Sequence, residues 1–255
     1  MAVDSVPLLE VAANSVASAL AAQEGGAGRV ELCAALELGG VTPSYAEIAT
    51  ARDQLAIPLY VLIRPRGGDF LYNDFECEVM QRDIEMCVAL GCDGVVLGVL
   101  DAQGQVDAAR SRVLVATAGA LGVTFHRAFD MVSDPAAALE AVIDLGCERV
   151  LTSGGQASAI DGAAQIRALL AQAAGRLSVM PGAGVHARTI AALAQATGAK
   201  EFHASAKQQL PSRMRHRQPG LDDMAGGEWR SDATEIRAMV TALRELSMQA
   251  GNHPP

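Results

Sequence analysis

Four stretches of the 255-residue chain repeat one pattern: a glycine that stops a helix, a short spacer, then an apolar run. They start at Gly26, Gly91, Gly146 and Gly198. The apolar runs are too short for helices and hold the β-branched residues, so they read as strands. Four more such runs lie between them, which places strands at 8–12, 29–33, 59–64, 94–97, 123–126, 149–152, 177–180 and 201–204. Helical patterns fill the gaps at 15–23, 44–54, 74–90, 107–117, 134–145, 157–173, 187–196 and 231–248. Several open on a capping residue followed by an acid or by proline, as in Asn73-Asp74 and Ser133-Asp134-Pro135. Eight strands alternating with eight helices in about 250 residues predict an α/β fold, a single (β/α)8 TIM barrel. A doubly wound open sheet is the alternative, but a closed barrel allows a βαβα module repeated four times, which an open sheet does not require.

The repeat also predicts which side chains face inward. The fifth residue after each glycine is Glu31, Val96, Leu151 or His203, and the seventh is Cys33, Gly98, Ser153 or Ser205. Strand side chains alternate, so these two positions share a face. The other phase, with Val30, Leu32, Val95, Leu97, Val150 and Phe202, is apolar and suits packing under helices. The mixed phase therefore points into the barrel, and its later members lie at the carboxyl rim, where barrel active sites form.

Composition narrows the function classes. Asp and Glu number 29 against 20 Lys and Arg, a net charge of −9, which argues against a nucleic-acid or membrane-surface partner. No apolar run approaches the ~20 residues of a membrane span. The N-terminus, with Asp4 and Glu10, does not read as a secretory signal. Five scattered cysteines without a CxxC pair read as reduced thiols of a cytoplasmic protein. No linker composition divides the chain, so 1–255 is expected to be one domain, with 206–230 a lid or interface loop and 251–255 a flexible tail. That loop carries Arg213, Arg215, His216 and Arg217.

The strand ends gather a polar set. Glu10 and Glu31, near His126 and His203, are the catalytic candidates: carboxylates close to histidines and arginines drive one another's pKa values apart, which sets up acid and base roles. Arg64, Arg66 and Asp69 after strand 3, Arg127 and Ser153, and Gly182, Gly184 and Ser205 after strands 7 and 8 are the substrate or anion-binding candidates. Asp101, Asp130 and Thr152 stand at the same rim. Each of these residues has a plain alternative as a structural rim group; for Arg64 that alternative is an ion pair with Glu10 or Glu31. Only Lys200 and Lys207 are lysines, and neither is expected at the rim, which disfavours Schiff-base chemistry. Cys33 is the one cysteine at the rim and the candidate metal ligand, with Met131 and Met180 the nearest soft neighbours.

Several blocks resemble the CutC family. They are Glu31-Leu32-Cys33-Ala34, Gly39-Gly40-Val41-Thr42-Pro43-Ser44, Ile63-Arg64-Pro65-Arg66-Gly67-Gly68-Asp69-Phe70, Thr124-Phe125-His126-Arg127-Ala128-Phe129-Asp130-Met131, Arg149-Val150-Leu151-Thr152-Ser153-Gly154, Met180-Pro181-Gly182-Ala183-Gly184-Val185 and Phe202-His203-Ala204-Ser205. The resemblance implies a (β/α)8 barrel, a cytoplasmic location, a homodimer or higher homo-oligomer, and copper homeostasis with Cu(I) bound by cysteines ending strands 1 and 2. Here the second is Cys33, while Ala12 stands where the first would be. Two roles follow: a copper protein with Cu(I) on Cys33, or an enzyme acting on a small anionic or phosphorylated metabolite, with a divalent metal as an optional aid. A third is an interaction module whose surface matters more than its pocket.

Overall fold

The computed structural model describes residues 6–216, 218–221 and 226–251. Eight parallel strands form its centre: β1 (Leu8–Ala13), β2 (Arg29–Leu32), β3 (Leu59–Leu62), β4 (Gly94–Leu97), β5 (Gly122–Phe125), β6 (Arg149–Thr152), β7 (Ser178–Pro181) and β8 (Glu201–Ala204). Their hydrogen-bonded order runs β7-β6-β5-β4-β3-β2-β1-β8, and β7 lies against β8, so the sheet curls into a nearly closed (β/α)8 barrel. Around it lie α1 (Val16–Gly25), α2 (Tyr45–Gln54), α3 (Asp74–Ala89), α4 (Ala108–Ala118), α5 (Pro135–Asp144), α6 (Ala163–Ala173), α7 (Ile190–Thr197) and α8 (Ala233–Gly251).

Local chemistry sets the ends of these helices. Ser44 and Asn73 accept the N–H groups of Glu47 and Glu76, whose carboxylates reach back to the cap residues, a reciprocal box that fixes the starts of α2 and α3. Asp134 caps α5, with Pro135 at its first position. Gly26 and Gly198 end α1 and α7 at φ 89° and 76°, a left-handed turn that L side chains resist.

The two strand phases separate as the repeat requires. Val30, Leu32, Val95, Leu97, Val150 and Phe202 belong to the large core between sheet and helices. Cys33, Tyr60, Leu62 and Val96 form a separate small cluster inside the barrel. Below them the interior is ionic. Arg29 is paired to Glu10 and, at 2.7 Å, to Glu201; Arg149 holds Glu201 at 2.5 Å and Glu148 at 2.7 Å. Tyr60 donates to Glu148 at 2.6 Å and lies under both guanidiniums, at 5.0 and 5.5 Å. Gly94 leaves the room this ring needs, since a Cβ there would come within 2.1 Å of it.

The segment 206–230, expected as a lid or interface loop, carries a short ribbon at its two ends. Strands β9 (Lys207–Leu210) and β10 (Glu228–Ser231) pair antiparallel, and Asn14 and Ser18 tie β10 to the start of α1. Arg217 and the 252–255 part of the tail lie outside the described residues, as does Asp4.

Candidate functional site

Above the ionic floor, the carboxyl ends of the strands enclose a cavity of about 450 Å³. Such a volume suits a small metabolite. Its wall includes Glu31 and Cys33 from the β2 end, Arg64 and Phe70 after β3, His126 and Arg127 after β5, Ala183 and Gly184 after β7, and His203, Ser205 and Lys207 along the last strands.

Glu10 and His203 form a dyad. They are register partners on adjacent strands, and Glu10 Oε1 lies 2.7 Å from His203 Nδ1. Glu10 is fully buried, with its other oxygen bonded to the Arg29 guanidinium. Burial alone would raise its pKa; Arg29 and then His203 overcome that and hold the carboxyl at about 2. Burial alone would lower the His203 pKa, but Glu31 and Glu10 raise it. With Nδ1 held by the carboxylate, the ring's Nε2 is the nitrogen left for a ligand.

Glu31 is buried beside this dyad, and its Oε2 has no hydrogen-bond partner. Desolvation pushes its pKa up to about 7 despite the nearby His203 charge. The two inner carboxyls are thus driven apart, one firmly ionised and one poised near neutrality. Ligand atoms of Glu10, Glu31 and His203 all lie within 4.8 Å of one another, a donor set suited to a hard or borderline divalent cation.

His126 shows the opposite response. Burial, then the Arg64 charge, lowers its pKa to about 3, so the imidazole is neutral. Its Nδ1 accepts the Ala128 N–H at 3.1 Å, while Nε2 is buried without a partner.

Other expected residues are placed differently. Arg64 lines the cavity but pairs with neither glutamate; its terminal nitrogens donate to the carbonyls of Leu38, Gly40 and Gly68 at 2.7–3.0 Å. It offers the cavity charge rather than a free fork. Arg66 and Asp69 stand outside the cavity lining, where Arg66 clasps Asp69, Glu76 and three loop carbonyl contacts. Arg127 lines the cavity and pairs with Asp130 at 2.7 Å. Asp130 also accepts from Thr152, Ser153 and Gly155, so Ser153 belongs to a clamp joining the 127–131 turn to β6. Asp101 organises its own turn through the N–H groups of Gln103 and Gln105. Gly182 makes room for Leu151 and His203, whose atoms a Cβ would approach to 2.5 and 3.3 Å.

Two features escape the sequence reading. Lys207, expected away from the rim, lines the cavity from the start of β9, just after the left-handed turn at Ala206 (φ 45°). Ala183 lies at φ 86°, a strained turn for a residue with a Cβ, set in the cavity wall.

Comparison with known proteins decides the family. The profile of the CutC family matches residues 7–208. The chain belongs to the CutC family. A CutC from Xylella fastidiosa (strain Temecula1) is 60% identical over 237 residues, covering 93% of this chain and 89% of that protein. One from Xanthomonas axonopodis pv. citri is 58% identical over 237 residues, covering 93% and 99%. The crystal structure of a Streptococcus agalactiae CutC, named for copper homeostasis, superposes with a TM-score of 0.74 at 35% identity over 77% of this chain and 97% of that one.

The CutC name carries a relation to copper, and the residues present do not fit a Cu(I) centre. Among the described residues Cys33 is the one sulfur residue in the cavity wall, and β1 contributes Ala12 there. Burial and then Glu31 push the Cys33 thiol well up, away from the thiolate that metal binding needs. Met180 sulfur lies buried near the Arg29 guanidinium, and Met131 is exposed. Among the described residues no helix is long and apolar enough to cross a membrane.

Proposed function

We propose that this CutC-family barrel is an enzyme that performs acid–base chemistry on a small anionic metabolite in its mouth cavity. The observation that carries this reading is the side-by-side burial of the Glu10–His203 dyad and the unpartnered Glu31 at the cavity floor. A carboxylate-oriented histidine and a carboxyl poised near neutral pH are the two groups that proton transfer requires. Anionic substrate follows from charge. Arg64, Arg127 and Lys207 line the cavity, with Glu31 the one carboxylate among its described lining residues, in a chain whose net charge is −9. The Lys207 ammonium lies over the Trp229 ring at 5.2 Å, a contact a ligand anion can compete with, whereas Arg64 is held by carbonyls.

Copper enters as a second reading, favoured by the name of the Streptococcus agalactiae relative. On that reading Cys33 is the principal Cu(I) ligand. A divalent ion on Glu31 and His203 would instead serve the enzymatic reading by polarising a substrate oxygen. A cytoplasmic location and a homo-oligomeric state belong to the same proposal and rest on the family resemblance.

The test is a binding screen by thermal shift and calorimetry. Its probes are inorganic phosphate, 2-phosphoglycolate and short dicarboxylates, with Cu(I) presented by a competing chelator. We expect at least one organic anion to bind, and Lys207→Ala to weaken it ~10-fold, the loss of one charge-assisted contact. No binding by any anion overturns the enzymatic reading; tight Cu(I) binding lost in Cys33→Ala establishes the copper reading in its place.

A further inference from the structure

His126 ends β5 at the start of the short 3-10 helix Arg127–Met131, and its ring is fixed on several sides. Gly98 leaves space against it, since a Cβ there would fall 2.5 Å from Nδ1. The Phe70 ring centroid stands 5.0 Å away. Nδ1 accepts the Ala128 N–H, and a neutral imidazole has one proton, which therefore sits on Nε2. That Nε2–H meets no protein acceptor, and the residue is part of the cavity wall. A buried donor without a partner costs free energy, so the fold retains it at a loss unless a ligand supplies the acceptor.

We propose that His126 Nε2–H receives a carbonyl oxygen of the substrate while Glu31 removes a proton from the adjoining carbon. The inference rests on the acid–base reading above and narrows its substrate class to small anionic aldehydes, ketones or 2-keto acids with a C–H next to the carbonyl. In the step, the Glu31 carboxylate takes the C–H proton and becomes the neutral acid. The C–H electron pair becomes a C=C bond, and the carbonyl π pair moves to oxygen, which accepts the Nε2–H hydrogen bond. Return of the proton to the same carbon completes an exchange; where that carbon carries a hydroxyl, return to the former carbonyl carbon, with the hydroxyl proton passing to the enolate oxygen, completes an isomerisation, so no oxidant, reductant or leaving group is required.

The electrostatics agree with this assignment. His126 stays neutral because burial and Arg64 oppose a second proton, so it keeps the same tautomer throughout the physiological range. Glu31 lines the same cavity as His126, with its Oε2 free of any protein donor, so base and donor share one ligand space. A neutral histidine donor opposite a carboxylate base is an established combination for enolising carbonyl compounds. Arg64 lines the cavity with His126, so its positive charge favours an oxygen that becomes negative there.

The experiment uses the full chain in D2O with dihydroxyacetone phosphate, glyceraldehyde 3-phosphate, pyruvate and 2-ketoglutarate, reading deuterium wash-in at carbon by proton NMR. His126→Asn keeps an acceptor for the Ala128 N–H and removes the cavity donor; His126→Gln keeps an N–H directed toward the cavity. We expect wash-in for at least one compound, lowered ~10²–10³-fold in His126→Asn, partly restored in His126→Gln and lost in Glu31→Gln. Imidazole nitrogen NMR should show His126 as the neutral Nε2–H form from about pH 5 to pH 8. Melting curves confirm that each variant is folded. Equal wash-in by wild type and His126→Asn, an Nδ1–H tautomer, or titration of His126 in that range overturns the inference. Lys207-dependent anion binding without any wash-in also overturns it while leaving the anion site standing; absence of both removes the two together.

Discussion

At the residue scale, Glu31 makes stability depend on pH in an unusual direction. Its carboxyl is held at about 7 in the folded chain, against 4.5 as its ordinary value. The folded state therefore binds more protons than the unfolded state between these values, and stability falls as pH rises through them. His203, raised above 6.5, adds the same sign at higher pH, because the stability it contributes is lost as it deprotonates. Glu10 works the other way: held at about 2, it contributes stability above 4.5 that is lost as pH falls toward 2. Urea unfolding from about pH 4 to pH 8 should thus show a maximum near pH 5 and a decline of a few kcal/mol toward neutrality. Glu31→Gln should flatten that decline and leave the acid limb. A profile identical to wild type would show that Glu31 is not held in its neutral form by the fold.

At the scale of elements, the β3–α3 connection shows how a loop is built around one side chain. Arg66 reaches Glu76, which also closes the cap of α3, and holds Asp69 and Leu71 in place. Arg66→Ala should lower the melting temperature by ~2–4 °C, on the order of 1 kcal/mol, with anion binding at the mouth unchanged. Loss of binding instead would place this loop in the site. The strands and most helices were legible because apolar alternation and glycine stops are local signals. The later start of α6 at Ala163 was not, because Ala-rich 157–162 looks helical while Gly162 packs against Ser153 and Gly154 too closely for any Cβ. Nor was the β9–β10 ribbon, whose exposed four-residue strands lack an apolar face. Within the site, the fifth and seventh repeat positions pointed to Glu31, Cys33, His203 and Ser205, all now in the cavity wall. The third position, with Arg29, Arg149 and Glu201, has the same phase; these side chains find one another only across the closed barrel, a long-range fact that no local pattern encodes.

At the scale of the whole molecule, the barrel interior divides into an ionic floor and an open mouth, and the floor does two separable things. Arg149 and Glu201 cross-link β6 to β8, strands that the sheet order does not pair directly. Arg29 joins β2 to Glu10 on β1 and, through it, sets the charge that orients His203. Both arginines are nearly buried, so truncating either leaves acids without their partner in a poorly solvated place. Arg149→Met should cost roughly 3 kcal/mol in urea unfolding while wash-in and anion binding keep their pH dependence. Arg29→Met should cost a similar amount and also raise the Glu10 pKa, because the largest of its stabilising charges is gone. His203 would then lose its fixed carboxylate partner as pH falls, and the acid limb of activity would move to higher pH in this variant alone. If both variants shift the activity profile equally, the floor acts on the mouth as one electrostatic unit; if neither does, Glu10 orients His203 without help from the charges beneath it.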